Sequence, residues 1–311
     1  MSSPTHDHDH PAIPPPTVEE VRDGVFAYVQ LDGSWGLNNA GFLTGRDAVT
    51  LIDTCFTERR TRALVDTIAS VTPLPLRTLV NTHHHGDHTH GNYLVPSATI
   101  IGHDFCRDEM IASGHIATGL FPGVDWGRLE VAPPFVCFDD HLNLYVDDRK
   151  VELQFVGPAH TTNDVIAWLP QQRVLFAGDL VFNGGTPFVV MGSVSGSLAA
   201  LERLRGLGAE VIVPGHGPVC DASIIETQVA YLRFVQDVAR RGFDGGTPPL
   251  DLALATDLGP FASLHDPERI VGNLYRAYSE LRGEPLGRPI DPQAFADMVT
   301  YNGGKPLRCL A

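Results

Sequence analysis

Residues 76–90, LRTLVNTHHHGDHTH, decide how this chain is read. LRTLVNT has the β-branched and apolar content of a buried strand, and it runs without a break into a polar stretch at residues 83–90. Inside that stretch His83, His85, Asp87 and His88 follow the order HxHxDH. Imidazole and carboxylate bind zinc-like cations as neutral or anionic donors, and close spacing on one tight loop lets several of them converge on a point. The loop has to reverse sharply, which Gly86 is expected to permit. Six of the 14 histidines fall between His83 and His103, so the concentration here is not a matter of composition.

Further out along the chain, three more donors stand where strands are expected to stop. His160 follows VELQFVGPA, Asp179 follows RVLFAG, and His216 follows VIVPG. Ligands in sheet proteins gather beyond the carboxyl ends of strands, because the loops there converge while the strands hold them rigid. Five histidines and two aspartates exceed what one tetrahedral ion needs and suit two ions sharing a carboxylate. The remaining pattern is α/β. VFAYVQ, AGFLTG and DAVTLIDT read as a strand meander, TERRTRALVDTIASV as a helix, ATIIGH as a strand and HDFCRDEMIASG as a helix. A Pro/Gly-rich loop spans residues 119–134. LNLYV and KVELQFVG pair as a hairpin across Asp147-Asp148, and DVIAWLP and RVLFAGD follow as strands. SLAALERLRGLG is helical, EVIVPG is a strand, and the chain after about Ala222 is mainly helical. The expected organisation is a disordered Pro/His-rich tail at residues 1–17, an α/β domain at 18–245, and a helical C-terminal extension at 246–311 packed on it.

Charge and cysteine content narrow the partners. The chain has 311 residues, with 22 Lys+Arg against 37 Asp+Glu and a formal charge of −15, and its only lysines are Lys150 and Lys305. An acidic surface without a basic run repels phosphate backbones and anionic lipid, so nucleic acid and membrane are excluded as expected partners. The five cysteines are scattered and form no CxxC pair, which argues against a disulfide framework or a thiolate metal site. No secretion signal and no membrane span is legible, so a cytoplasmic location is expected.

On THHHGDH, His160 in GPAHTTND, Asp179 in FAGD and His216 in PGHG, the chain from roughly Val25 to Arg241 resembles the metallo-β-lactamase superfamily. The resemblance implies a four-layer αββα sandwich with its site at the edge where the two sheets meet. It also implies that His83, His85 and His160 hold one metal, that Asp87, His88 and His216 hold a second, and that Asp179 bridges them. Class B1 lactamases carry cysteine at the position of Asp179, which turns the expectation away from antibiotic hydrolysis. GSWGLNNAG, WLPQQRVLFAGDL, GGTPFVVMGSVSGSLAALERL, HDPERIVGNLYRAYSELRG and YNGGKPLRCLA are similar to the second-ring cyclases of actinorhodin-type aromatic polyketide pathways. That similarity implies a small-molecule acyl substrate carried on an acyl carrier protein, ring closure, and thioester cleavage.

The expected cofactors are therefore two divalent metal ions, zinc foremost, with manganese and iron also compatible with these donors. Such ions acidify bound water toward pH 7 and polarise an acyl carbonyl, so no nucleophilic side chain is required. Asp87 is the expected catalytic residue, placed to move a proton between the attacking water and the leaving group. A glyoxalase II-like or lactonase-like hydrolase is the alternative within this class, and a non-hydrolytic metal-dependent ligand-binding protein is the alternative outside it. His84, His90 and His103 are expected to lie outside the ligand set. Asp53 either orients a ligand imidazole or serves a turn. Trp35, Phe121, Trp126, Phe188 and Met191 sit in loops that could line a pocket, Tyr301 to Gly304 could return to the site, and the helical C-terminal third offers a surface for self-association.

Overall fold

A computed structural model describes residues 13–311. The tail expected at residues 1–17 lies largely outside the described residues, and with it His6, His8 and His10. Its last residue already opens a strand, β1 (Thr17–Arg22). Six more strands follow β1 in one sheet: β2 (Val25–Val29), β3 (Ala40–Thr44), β4 (Val49–Ile52), β5 (Leu76–Val80), β6 (Thr99–His103) and β7 (Val136–Phe138), side by side in chain order. The second sheet, in the order β12-β11-β10-β9-β8, comprises β8 (His141–Val146), β9 (Arg149–Phe155), β10 (Val165–Leu169), β11 (Val174–Phe182) and β12 (Val211–His216). Only the β4–β5, β5–β6, β6–β7 and β11–β12 pairs are parallel. Between β4 and β5 runs helix α1 (Glu58–Val71), whose start is fixed by the Thr57 side chain accepting from the amide of Arg60.

Three apolar cores make four layers. Val25, Ala27, Ile52, Val80, Val165, Ala167, Val174 and Phe176 fill the space between the sheets. On the outer face of the first sheet, Phe42, Leu51 and Leu79 pack against Leu64 and Ile68 of α1. The third core backs the second sheet, where Ile166, Trp168, Leu175 and Ala177 meet helices α4 (Val194–Leu207) and α5 (Ile224–Asp244). Alternate residues of β10 and β11 thus serve opposite faces, and both faces are apolar because both are covered. This is the αββα sandwich expected above. Beyond α5, α6 (Pro249–Ala255), α7 (Arg269–Leu281) and α8 (Gln293–Tyr301) join the third core through residues such as Ala253, Ile270, Leu274 and Met298.

Some local expectations need correction. β1 and β7 are absent from the sequence reading: β1, TVEEVR, is an exposed edge strand with no alternating apolar face, and β7 is only three residues long. Gly86 does not serve as a reversing residue, since its φ is not positive. It begins a one-turn helix, α2 (Gly86–Thr89), and its missing side chain makes room for the His90 ring, with which a Cβ there would clash. Asp179 is not at a strand end either. It lies within β11, where pairing with β12 slips around Gly178 (φ +53°), and the bulge turns the following side chain toward the site.

Candidate metal centre

The seven residues singled out on sequence are brought together at one rim. His83, His85, His160 and Asp179 form one group, and Asp87, His88 and His216 form another, each with its donor atoms within 4.8 Å of one another. The loop after β5 delivers the first histidines, α2 delivers Asp87 and His88, the β9–β10 loop delivers His160, the β11 bulge delivers Asp179, and the last residue of β12 is His216. Asp179 stands between the groups. Its Oδ1 is 3.0 Å from His88 Nε2, and its Oδ2 is 3.3 Å from His160 Nε2, 3.4 Å from His216 Nε2 and 3.9 Å from His83 Nε2. Asp87 Oδ2 lies 3.3 Å from His216 Nε2, and His85 Nδ1 lies 2.9 Å from His160 Nε2.

Outer acceptors set the face that four of the five imidazoles turn inward, His85 being the exception. His88 Nδ1 is 2.8 Å from Asp53 Oδ2, and His216 Nδ1 is 3.1 Å from the carbonyl of Gly33. His160 Nδ1 meets the carbonyl of Phe188. His83 Nδ1 is 3.1 Å from the Thr82 hydroxyl, which itself donates to Asp53 Oδ2 at 2.7 Å and so is left to accept. A donor at Nδ1 leaves the lone pair on Nε2, directed at the shared centre. Asp53 is thus an orienting residue, and its turn conformation (φ +59°) accompanies that role rather than replacing it.

Does this set fit cations? His83 Nε2, His88 Nε2 and Asp179 Oδ1 are buried with no hydrogen-bond partner, although the last two are only 3.0 Å apart. Buried acceptors without donors are costly. Lone pairs converging from several directions are what a divalent cation satisfies, and the residues fit such ions.

The two groups differ electrostatically. Burial, followed by neighbouring imidazoles, holds His83 and His85 well below the ordinary imidazole range. Burial acts the same way on His88 and His216, but the carboxylates around them win, with Asp179 foremost. His88 is raised well above the ordinary range, and His216 is pushed up to about 9. Asp87 and Asp179 lie below the usual carboxylate range, because the nearby imidazoles outweigh burial.

The remaining expectations separate cleanly. His84 bonds Asn163, His90 stacks on Phe56 and bonds its carbonyl, and His103 caps helix α3 (Asp104–Ser113); none belongs to either donor group. Trp35, Phe121 and Phe188 form one aromatic cluster, with ring centroids 5.7 Å and 5.0 Å from Trp35, and Phe56 joins Phe121 to Trp126. Met191 Sδ is 3.2 Å from His85 Nε2. Tyr301 packs on the third core, whereas the segment that reaches toward the rim is further on. The Leu310 carbonyl accepts from the buried Arg60 at 2.6 Å, and Cys309 packs against Gly36. Asp164 was missed on sequence. Its carboxylate accepts from the amides of Ala159 and Thr161 and from the Thr161 hydroxyl, and so shapes the loop that carries His160. The ND of GPAHTTND was its only local signal.

The profile of the Metallo-beta-lactamase superfamily matches residues 33–216, more than half of the chain, and the chain belongs to that superfamily. The α subunit of 2,4-dinitroanisole O-demethylase from Nocardioides is 30% identical over 203 residues, 63% of this chain and 54% of that protein. A hydroxyacylglutathione hydrolase from Methylococcus capsulatus is 30% identical over 138 residues, 43% of this chain and 45% of its own length. The chain thus spans about half the length of these curated relatives. Among solved structures, a metallo-beta-lactamase from Pontibacter korlensis superposes with a TM-score of 0.59 at 22% identity, covering 70% of this chain and 99% of that one, a likeness of fold. No helix among the described residues is long and apolar enough to cross a membrane.

Proposed function

We propose that this chain is a metal-dependent hydrolase that cleaves an acyl thioester, ester or lactone. His83, His85 and His160 would hold one divalent ion, Asp87, His88 and His216 a second, and Asp179 both. The observation that carries the reading is the position of Asp179, whose two oxygens face imidazoles of both groups, with its Oδ1 and the Nε2 atoms of His83 and His88 buried without a hydrogen-bond partner. When bound, two divalent ions supply an acidified water and an electrophile for the acyl carbonyl. The protein's own part is orientation and proton transfer. Thr82, Asp53, Phe188 and Gly33 fix the imidazole faces, so the donor set does not reorganise during turnover. Asp87 is more exposed than Asp179, with side-chain exposures of 15% against 5%, and it is the carboxylate placed to accept a proton from water and return it to the leaving sulfur or oxygen.

Within this class we favour a polyketide cyclase and thioesterase acting on an acyl chain delivered by a carrier protein. The resemblance of GSWGLNNAG and GGTPFVVMGSVSGSLAALERL supports it, whereas Trp35, Phe121, Trp126 and Phe188 pack on one another and on the third core and carry no argument about the substrate. The 30% identity to a hydroxyacylglutathione hydrolase supports the alternative of a small-acyl thioesterase. Zinc is the proposed ion, because imidazoles outnumber carboxylates five to two in the donor set; iron and manganese are compatible with the same donors. All five cysteines are unpaired, which supports a reducing compartment such as the cytoplasm.

The test is turnover of a panel of aryl esters, lactones and acyl thioesters by the metal-loaded chain, with metal-stripped protein and Asp87→Ala as controls. Metal-dependent cleavage of at least one class is expected. Tight metal and ligand binding without turnover of any would instead leave a non-hydrolytic ligand-binding protein.

A further inference from the structure

Helix α7 carries a stripe of buried polar residues where a packing helix would ordinarily be apolar. Arg269, Asn273 and Arg276, with the half-buried Glu280 after them, recur at helical spacing on one face. Arg269, Asn273 and Arg276 are at most 1% exposed. Burying such groups is costly unless they are bonded. Each of them bonds the backbone of one segment, residues 186–195, which is the loop before α4 and that helix's first turn; Asn273 also donates to the Tyr231 hydroxyl and Arg276 to the Arg288 carbonyl. Arg269 donates to the Thr186 carbonyl at 2.9 Å, and Arg276 donates twice to the Val190 carbonyl, at 2.7 and 3.1 Å. Glu280 accepts from the amides of Val194 and Ser195 at 2.6 and 3.1 Å. Asn273 brackets Phe188, donating to the Pro187 carbonyl at 2.8 Å and accepting from the Val189 amide at 2.9 Å. The carbonyl held between those two bonds is the one that meets His160 Nδ1.

The start of the same helix grips a second loop. Trp35 donates its indole N–H to Glu268 at 2.7 Å, and the Arg269 guanidinium lies 4.0 Å from the Trp35 ring centroid, itself paired with Asp266 at 2.8 Å. Two residues before Trp35, the Gly33 carbonyl meets His216 Nδ1 at 3.1 Å. His160 belongs to one donor group and His216 to the other.

We propose that α7 is the element that sets both donor groups: Asn273 positions His160 through the Phe188 carbonyl, and Glu268 with Arg269 positions His216 through Trp35 and the Gly33 carbonyl. This inference rests on the metal reading above and adds Asn273, Glu268 and Arg269, none of which belongs to either donor group. It predicts selectivity. A positioning residue acting through one carbonyl should affect one ion, whereas a helix that only buttresses the fold would affect both ions alike.

The experiment is stepwise metal binding by the full chain, stripped and then titrated with zinc against a chromophoric chelator and with cobalt(II) to record ligand-field bands. His160→Ala and His216→Ala assign the two binding steps. Asn273→Ala is expected to weaken the His160 step by about 10-fold or more and to shift its cobalt bands while the other step changes little. Trp35→Phe is expected to do the converse. Tyr275→Phe, which removes a bond to Asp297 on α8, is expected to move neither step. Should Asn273→Ala fail to fold, Asn273→Asp retains the acceptor for the Val189 amide and is read in the same way. Equal weakening of both steps by either variant, or unchanged steps and bands alongside a lowered melting temperature, would overturn the proposal while leaving the metal reading intact. A wild-type chain that binds neither ion removes the metal reading and this inference together.

Discussion

The two donor groups that meet at Asp179 use similar side chains in opposite electrostatic surroundings. On one side His83 and His85 are crowded by burial and by other imidazoles, which keeps them neutral. On the other, Asp179, Asp53 and Asp87 surround His88 and reverse the effect of burial. The difference lies in how many carboxylates face each imidazole, not in depth, because all of these groups are deeply placed. On the reading proposed above, a cation in the first group would meet three imidazoles and Asp179, and one in the second would meet two imidazoles with Asp87 and Asp179 beside them.

The comparison can be broken most forcefully at the shared residue. Asp179→Ala should abolish high-affinity binding of both ions and lower turnover by more than the ~100-fold that bounds the loss of an outer partner, measured by metal analysis after dialysis and by initial rates. Two equivalents of metal retained by this variant would refute the bridging position. Asp87→Ala should act on one side alone: one equivalent is lost, the cobalt bands of the three-imidazole group persist, and turnover collapses. A smaller effect is expected from Asp53→Asn. It keeps the shape but offers His88 an amide in place of one carboxylate oxygen, and should weaken the second step by roughly 10-fold and the first by less, because Asp53 reaches His83 only through the Thr82 hydroxyl. Chelator competition resolves the two.

The smallest effect concerns α7. Burial, outweighing the nearby Arg269, raises the Asp266 carboxyl from 3.8 to about 6. The folded chain therefore holds a proton that the unfolded chain has released between those values. The stabilisation is complete below about 3.8 and is lost as pH rises through about 6. Burial lowers His83, His84, His85 and His90 and gives the metal-free chain a slope of opposite sign over the same range. Urea unfolding therefore reads the Asp266 contribution as the difference between the chain and Asp266→Asn, whose stability should rise more steeply with pH. An unchanged slope in the variant would place the proton elsewhere.

Most of the donor set was legible in the sequence because its signals are local. HxHxDH lies within six residues after one strand, and His160, Asp179 and His216 each follow a short apolar run. The same local logic placed most strands, the hairpin at Asp147-Asp148 and the long helices, but not β1, β7 or α6; the division into two sheets came only with the family resemblance. It failed where a local pattern has more than one tertiary use. Gly86 looked like a reversing residue but is needed for clearance of His90, and Asp179 looked like a strand end but rides a bulge inside β11. Asp53 could have been a turn residue or an orienting one, and only its 2.8 Å approach to His88 decides between them.

Residue types and short spacings thus determined by themselves that this chain carries a seven-residue imidazole and carboxylate set on an α/β scaffold, because ligand chemistry and strand periodicity are properties of neighbouring residues. The tertiary structure decided which nitrogen of each imidazole faces the centre, how charge divides between the two groups, and which helix holds the loops around them. Those depend on contacts such as Gly33 with His216, 183 positions apart, and Asn273 with Val189, 84 apart, and no local pattern encodes a pairing across such distances.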